Sequence, residues 1–271
     1  MPDREGEMNL SEGTLERGDF KLHFWTGGKP GAPWVVLTHG ATIDHHEWDA
    51  TLPLLAERFR VLAWDVRAHG LSRPARMDFT AAAQDLLDLL DVNEIERALF
   101  IGHSMGGNLH QEFVYRHPER VLGMVFLGCT WNFQKLSALE SFSLRIAEPI
   151  FKLYPYQTLL EQSLAATAVS AASRDLLRAA MSRLSKDEFV QIMLATAACL
   201  RPEPDYRVNK PLLLIVGDED RTGNIRQAMP RWAALEPDCH LVVIPKARHA
   251  ANLDDPAAFH AEVMQFLGRF E

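Results

Sequence analysis

The chain has 271 residues, 47% of them apolar and 24% charged, the proportions of an ordinary globular protein rather than a disordered or fibrous one. Its 28 basic and 36 acidic residues give a net charge of −8, which argues against a polyanionic partner such as nucleic acid. No stretch approaches the roughly 18 uninterrupted apolar residues of a membrane span, and the opening MPDREGEMNL lacks the apolar core of a secretory signal.

Strand signals come first in chain order. Apolar runs bounded by turn residues predict strands at 20–26, 34–38, 60–64, 97–102, 121–127, 211–216 and 240–244. A weaker strand at 13–17 is expected to pair with the first of these as a hairpin across Gly18-Asp19. Helical stretches are predicted at 47–58, 79–91, 104–116, 224–235 and 255–270. The strands are mostly continuous apolar runs rather than alternating ones, as in a parallel sheet buried on both faces. The fold class is α/β, with ligands expected at the carboxyl ends of the strands.

Residues 131–205 break this rhythm. The segment is rich in Leu, Ala, Ser and Phe at helical spacing, with Ser173 and Ser185 as caps and Ser185 with Glu188 as a capping box. Pro149 and Pro155 are expected to end or kink its first helices. The segment is a helical insertion, dividing the chain into core residues 1–130, a cap at 131–205 and core residues 206–271.

The sharpest local motif is Gly102-His103-Ser104-Met105-Gly106-Gly107, between a strand and a helix. A serine hydroxyl becomes a useful nucleophile only when it is exposed, aimed and paired with a base. A tight strand-to-helix turn aims Ser104, and its glycines let strand and helix approach. The helix N-terminus favours the negative charge that forms there. Neither a G-x-G-x-x-G nor a G-K-[ST] phosphate loop is present, so no nucleotide cofactor is expected.

These features resemble the α/β-hydrolase superfamily from about residue 20 onward, and small carboxylesterases and enol-lactonase-like hydrolases in particular. The resemblance implies an eight-stranded, mostly parallel sheet and a triad in the order Ser, acid, His. The family's acid position selects Asp220 in the turn Gly217-Asp218-Glu219-Asp220, with Asp218 as competitor. Arg221-Thr222-Gly223 departs from the family's downstream proline. The family's base position selects His249, in the loop after the last strand. The oxyanion hole is implied to be the backbone N–H groups of Met105 and Ala41, the latter following His39-Gly40. Asp65 to Ser72 resembles the family's D-x-R-G-x-G-x-S loop, with Ala68 in place of glycine.

Asp44, His45, His46 and Asp49 carry side chains that bind metals. Their adjacent spacing, without a distant partner cluster, argues against a metal site; the segment resembles the family's H-x-x-W pattern, with Trp48 opening a helix near the pocket, and no metal or other cofactor is expected. Trp48, Trp131 and Phe133 are candidate pocket residues, with Met193 among further apolar candidates of the cap. Cys129, Cys199 and Cys239 are odd in number and far apart, which matches a reducing cytoplasm.

The expected function is a serine hydrolase of a small to medium apolar ester or lactone, acting through an acyl-enzyme on Ser104. Carbon–carbon bond hydrolysis, perhydrolysis and slow-turnover ligand sensing are the alternatives on the same fold. No nucleic-acid or membrane partner is expected, and a homo-oligomer is compatible with the sequence.

Overall fold

The computed structural model describes residues 10–271. Eight strands form one sheet: β1 (Ser11–Arg17), β2 (Phe20–Gly28), β3 (Trp34–Thr38), β4 (Arg60–Trp64), β5 (Ala98–His103), β6 (Val121–Leu127), β7 (Leu212–Gly217) and β8 (Cys239–Ile244). Their order across the sheet is β1-β2-β4-β3-β5-β6-β7-β8. The β1–β2 hairpin and the β2–β4 pair are antiparallel; every later pairing is parallel. This is the α/β-hydrolase architecture.

The helices are α1 (Leu52–Ala56), α2 (Phe79–Val92), α3 (Met105–Arg116), α4 (Ala138–Leu153), α5 (Tyr156–Thr167), α6 (Ala171–Met181), α7 (Lys186–Ala197), α8 (Ile225–Ala233), α9 (Ala251–Asp254) and α10 (Pro256–Leu267). The continuous apolar strands are buried on both sides, and the two sheet faces carry separate cores. One holds Val36, Phe100, Phe126 and Trp232; the other holds Val35, Ile101, Ile215 and Phe259. Successive strand residues point to opposite faces, so β3 contributes Val35 to one core and Val36 to the other.

Two expectations need correction. The helix foreseen at 47–58 is a 3-10 turn, His45–Trp48, followed by the separate α1. Asp44 caps the turn through the His46 N–H, and Pro53 favours a new start near the α1 N-terminus. α6 is capped by Ser170 rather than Ser173, whose own N–H donates to Ser170 Oγ. Pro155 stands where α4 has ended and is the N-cap of α5, as expected of a helix-ending proline, and Pro149 lies inside α4. The Ser185–Glu188 capping box forms, as does a second at Ser137–Glu140.

Helices α4 to α7 occupy the connection between β6 and β7. Polar ties anchor them to the core, among them Arg73 to Glu188 and the Met77 N–H to Gln191. Cys129 is buried, while Cys199 and Cys239 are half-buried. No helix of the described residues is long and apolar enough to cross a membrane.

Candidate active site

The turn after β5 forces an unusual backbone. Ser104 sits at φ 50°, ψ −114°, a left-handed conformation that costs energy for a side chain other than glycine. The strain persists because the turn is pinned: the Ser104 N–H donates to Leu127 O of β6 at 2.8 Å, and α3 starts at the next residue. A Cβ on Gly106 would stand 2.2 Å from Thr38 O, and one on Gly102 2.6 Å from Gly107 N. Only glycine lets α3 approach β3 and β5 this closely.

The loops after β7 and β8 complete the arrangement. His249 Nε2 lies 2.8 Å from Ser104 Oγ, and His249 Nδ1 lies 2.9 Å from Asp220 Oδ2. Asp220, not Asp218, faces the imidazole. Its other oxygen accepts the Thr222 N–H at 2.8 Å. Burial alone would raise the Asp220 pKa, but the facing His249 and the Thr222 donor outweigh it and leave the carboxyl below its usual range. The three side chains therefore form one chain of hydrogen bonds from a buried carboxylate to a hydroxyl.

The two backbone groups named for an oxyanion hole lie on the segments that follow β3 and β5. Met105 is the first residue of α3, so its N–H has no acceptor within the helix. Neither it nor the Ala41 N–H donates to a described residue.

A buried ion pair beneath these loops escaped the sequence reading. Glu47 Oε1 lies 2.6 Å from His103 Nδ1, with both side chains almost wholly buried. Glu47 also accepts the Gly40 N–H at 2.9 Å and the Asn252 amide at 3.2 Å. His103 Nε2 approaches His249 O at 3.2 Å. One carboxylate and one imidazole thus tie the loop after β3 to the nucleophile turn and to the segment bearing His249. Burial opposes both charges, yet their mutual attraction prevails: the Glu47 pKa is lowered and that of His103 raised. The signal was two residues of opposite charge type beside recognised motifs, but nothing in their spacing pairs them.

The loop from Asp65 to Ser72 supports the same end of the sheet. Asp65 accepts the His45 N–H at 2.9 Å and the Leu71 N–H at 2.7 Å. Ala68 has φ 71°, the left-handed conformation for which glycine is the usual choice.

Ser104 opens into a cavity of about 570 Å³. Its wall includes Asn108, Thr130, Gln134, Met193 and Asn224, with leucines from α4 and the segments beside it, and no Lys or Arg. Trp48, Trp131 and Phe133 do not border it. Trp48 lies on the opposite sheet face, stacked on Phe259. Phe133 is enclosed by Tyr115 and Tyr206, and Trp131 is buried in the same core. An aromatic side chain in a helical insertion has a core to fill before it meets a ligand. Of the apolar cap candidates named from the sequence, Met193 borders the cavity. The polar wall residues were missed because they are scattered over α3 and the connections that follow β6 and β7.

A second cavity, of about 520 Å³, lies at Arg17, Phe20 and Arg67, away from the triad. Its Arg17 and Arg67 guanidiniums are paired with Asp85.

The ligand-capable atoms of Asp44, His45 and His46 lie within 4.8 Å of one another. Each residue also has a protein partner. Asp44 caps the 3-10 turn, His45 Nδ1 meets Asp65 at 2.9 Å and His46 Nδ1 meets Asp49 at 3.0 Å.

A serine on a strained strand-to-helix turn, with an acid after β7 and an imidazole after β8, defines the class of α/β-hydrolase sites. The match of a family model agrees: residues 35–262 fit the alpha/beta hydrolase family, and the chain belongs to that family. It is a hydrolase. The chain is 28% identical over 257 residues to the putative carbamate hydrolase RutD of Pseudomonas syringae, covering 87% of this chain and 94% of that one. It is 25% identical over 250 residues to the 2-(acetamidomethylene)succinate hydrolase of Mesorhizobium japonicum, covering 88% and 89%. The enol-lactonase of Burkholderia xenovorans shares the fold with a TM-score of 0.82, at 23% identity, over 94% of this chain and 100% of that one.

Proposed function

We propose that the protein cleaves a small to medium, uncharged carboxylic ester or lactone through an acyl-enzyme on Ser104. The observation that carries this reading is the hydrogen-bonded line from Asp220 through His249 to Ser104 Oγ, opening into the cation-free cavity. His249 Nε2 accepts the hydroxyl proton as Oγ attacks the carbonyl carbon. The Ala41 and Met105 N–H groups receive the oxygen that becomes negative. The tetrahedral adduct collapses as His249 returns the proton to the leaving oxygen, and water, activated by the same imidazole, releases the acid. Asp220 fixes the imidazole tautomer and stabilises its charged form.

The cavity wall supports the substrate class. Leu136, Leu139, Leu144, Leu200 and Ile225 present apolar surface, and Glu140 is the one ionisable side chain on it among the described residues. A substrate carboxylate would meet no Lys or Arg there, so dicarboxylates of the kind named for the Mesorhizobium relative fit this wall poorly. We further assign residues 131–205 the role of a lid, since α4 and α7 both contribute to the wall. A lid excludes water during acyl transfer.

Treatment with a fluorophosphonate tests the reading. A covalent adduct on Ser104, with a burst of nitrophenol from short-chain p-nitrophenyl esters that disappears in Ser104→Ala, is the expected result. Folded protein that neither labels nor turns over esters excludes it. Turnover slower than about one per minute, far below common enzyme rates, would favour the sensor alternative.

A further inference from the structure

We propose that Asn108 selects substrates carrying an O–H or N–H donor on an atom adjoining the scissile carbonyl. The proposal rests on the Ser104 reading above.

Asn108 lies one helical turn beyond the nucleophile. Its backbone N–H donates to Ser104 O at 3.0 Å, and both residues border the cavity. Asn108 is only 4% exposed, yet its side chain is not free to choose an orientation. Nδ2 donates to Thr130 O at 2.9 Å and to Asn132 Oδ1 at 2.6 Å. Thr130 O is a carbonyl and can only accept, so the amide nitrogen must face it.

The partners are locked in turn. Asn132 Nδ2 donates to Asn108 O at 2.9 Å, and the Asn132 N–H donates to Gln111 Oε1 at 2.8 Å. Gln111 Nε2 donates to Thr130 O at 2.8 Å. Three side-chain amides thus hold one another through backbone groups whose donor or acceptor character is fixed. Both Asn108 donors are consumed, and its Oδ1 accepts from no described residue.

The neighbouring amide and carboxylate of the wall are engaged with one another. Asn224 donates to Gln134 Oε1 at 3.0 Å and to Glu140 Oε1 at 2.6 Å, and accepts from Thr130 Oγ1 at 3.0 Å. Glu140 Oε2 is taken by Ser137. The unclaimed acceptor nearest Ser104 along the chain is therefore Asn108 Oδ1. A substrate that fills the cavity strips water from this oxygen, and leaving a buried acceptor unpaired is costly. A donor beside the reacting carbonyl, such as an α-hydroxyl or a carbamate N–H, removes the penalty. A bare alkyl chain does not.

Three phenyl esters of matched size test the assignment: 2-hydroxybutyrate, 2-methoxybutyrate and butyrate, each normalised to its alkaline hydrolysis rate. The wild type is expected to favour the hydroxy over the methoxy ester by about tenfold or more in kcat/KM. Asn108→Leu, similar in size but without an acceptor, should bring that ratio close to one. A wild-type ratio near one, or a ratio that survives Asn108→Leu, overturns the proposal; the wild-type comparison decides even if the variant does not fold. Labelling of Ser104 with a ratio near one overturns the Asn108 assignment alone. Absence of both labelling and turnover overturns this proposal and the Ser104 reading together.

Discussion

The sheet and the helices inserted into it solve different problems with similar residues. Every residue of β3, β5 and β7 is buried, whereas α4, sixteen residues long, has no buried residue at all. Phe126 lies in the core against Trp232; Phe142, the same residue type, is 57% exposed. The strands, packed on two faces, carry at their ends the turns that bear Ser104, Asp220 and His249. α4 contributes wall to the cavity while keeping most of its own surface in solvent. On the proposed reading the chemistry is built on the doubly packed layer, and the cavity above it is walled by both layers, Asn108 from α3 and Leu139 from α4.

The first and largest test of that division removes the nucleophile without touching the packing. Ser104→Ala is expected to lower kcat by about 10⁴-fold or more. Its melting temperature should match or exceed the wild type, because alanine removes the hydroxyl but keeps the turn's small volume. Steady-state kinetics with calorimetry on the same preparations checks both halves. Ordinary turnover in the variant would detach the chemistry from the sheet altogether.

Truncation inside the sheet comes next. Phe126→Ala should cost about 3–5 kcal/mol in urea unfolding, through lost burial and the cavity left beside Trp232. A loss below about 1 kcal/mol would mean that the core collapses readily around a gap, contrary to a tightly determined layer.

The same difference explains what could be read from sequence. The strands were legible because a run such as Leu212–Val216 leaves no polar face and admits little besides a doubly covered strand. Ser104 stood out through the local order of strand, turn and helix and His249 through the resemblance's base position, and the two side chains meet at 2.8 Å. Asp220 needed the structure to separate it from Asp218, since both belong to one acidic turn and only side-chain direction distinguishes them. The insertion was legible as helices, through Ser185 and Glu188, but not in its inward and outward faces. Trp131 and Phe133 looked like ligand contacts and proved to be core, because apolarity does not record which side of a layer a residue meets. Asn108 and Glu47 were invisible for the opposite reason: their roles depend on partners distant in sequence, Thr130 for one and His103 for the other.

Acid separates the layers through buried histidines. His69 and His110 sit in the core, where burial pulls each pKa down from 6.5 to about 3. A histidine held neutral in the fold but protonated when unfolded contributes stability above the unfolded pKa, and that contribution is lost between about pH 6.5 and pH 3. Lowering the pH from 7 to 5 should therefore destabilise the protein by about 2 kcal/mol for each of these groups. His103 works in the other direction. Its raised pKa gives stability that is present below pH 6.5 and declines as the pH rises through the folded value, so it offsets a small part of the loss. Urea midpoints at the two pH values, for wild type and His110→Gln, measure the effect; the variant should recover about 2 kcal/mol of the pH dependence. An unchanged dependence would mean that water reaches His110 in the folded protein.

The smallest effect is expected on the outer surface of α4. Leu139, Phe142, Ile150 and Leu153 recur at helical spacing and are all exposed, Leu153 to 82%. Phe142→Ser removes apolar surface that the fold does not bury, so unfolding free energy should move by no more than about 0.5 kcal/mol. Leu139 has two surroundings at once, because it is exposed and also borders the cavity. Leu139→Ser should likewise spare stability, but it should raise KM for a longer acyl ester more than for acetate, with kcat little affected, since a contact equal in ground and transition states acts on binding alone. A fall in kcat of similar size for both esters would instead place α4 in control of the reacting geometry. The helix would then belong, energetically, with the sheet it covers.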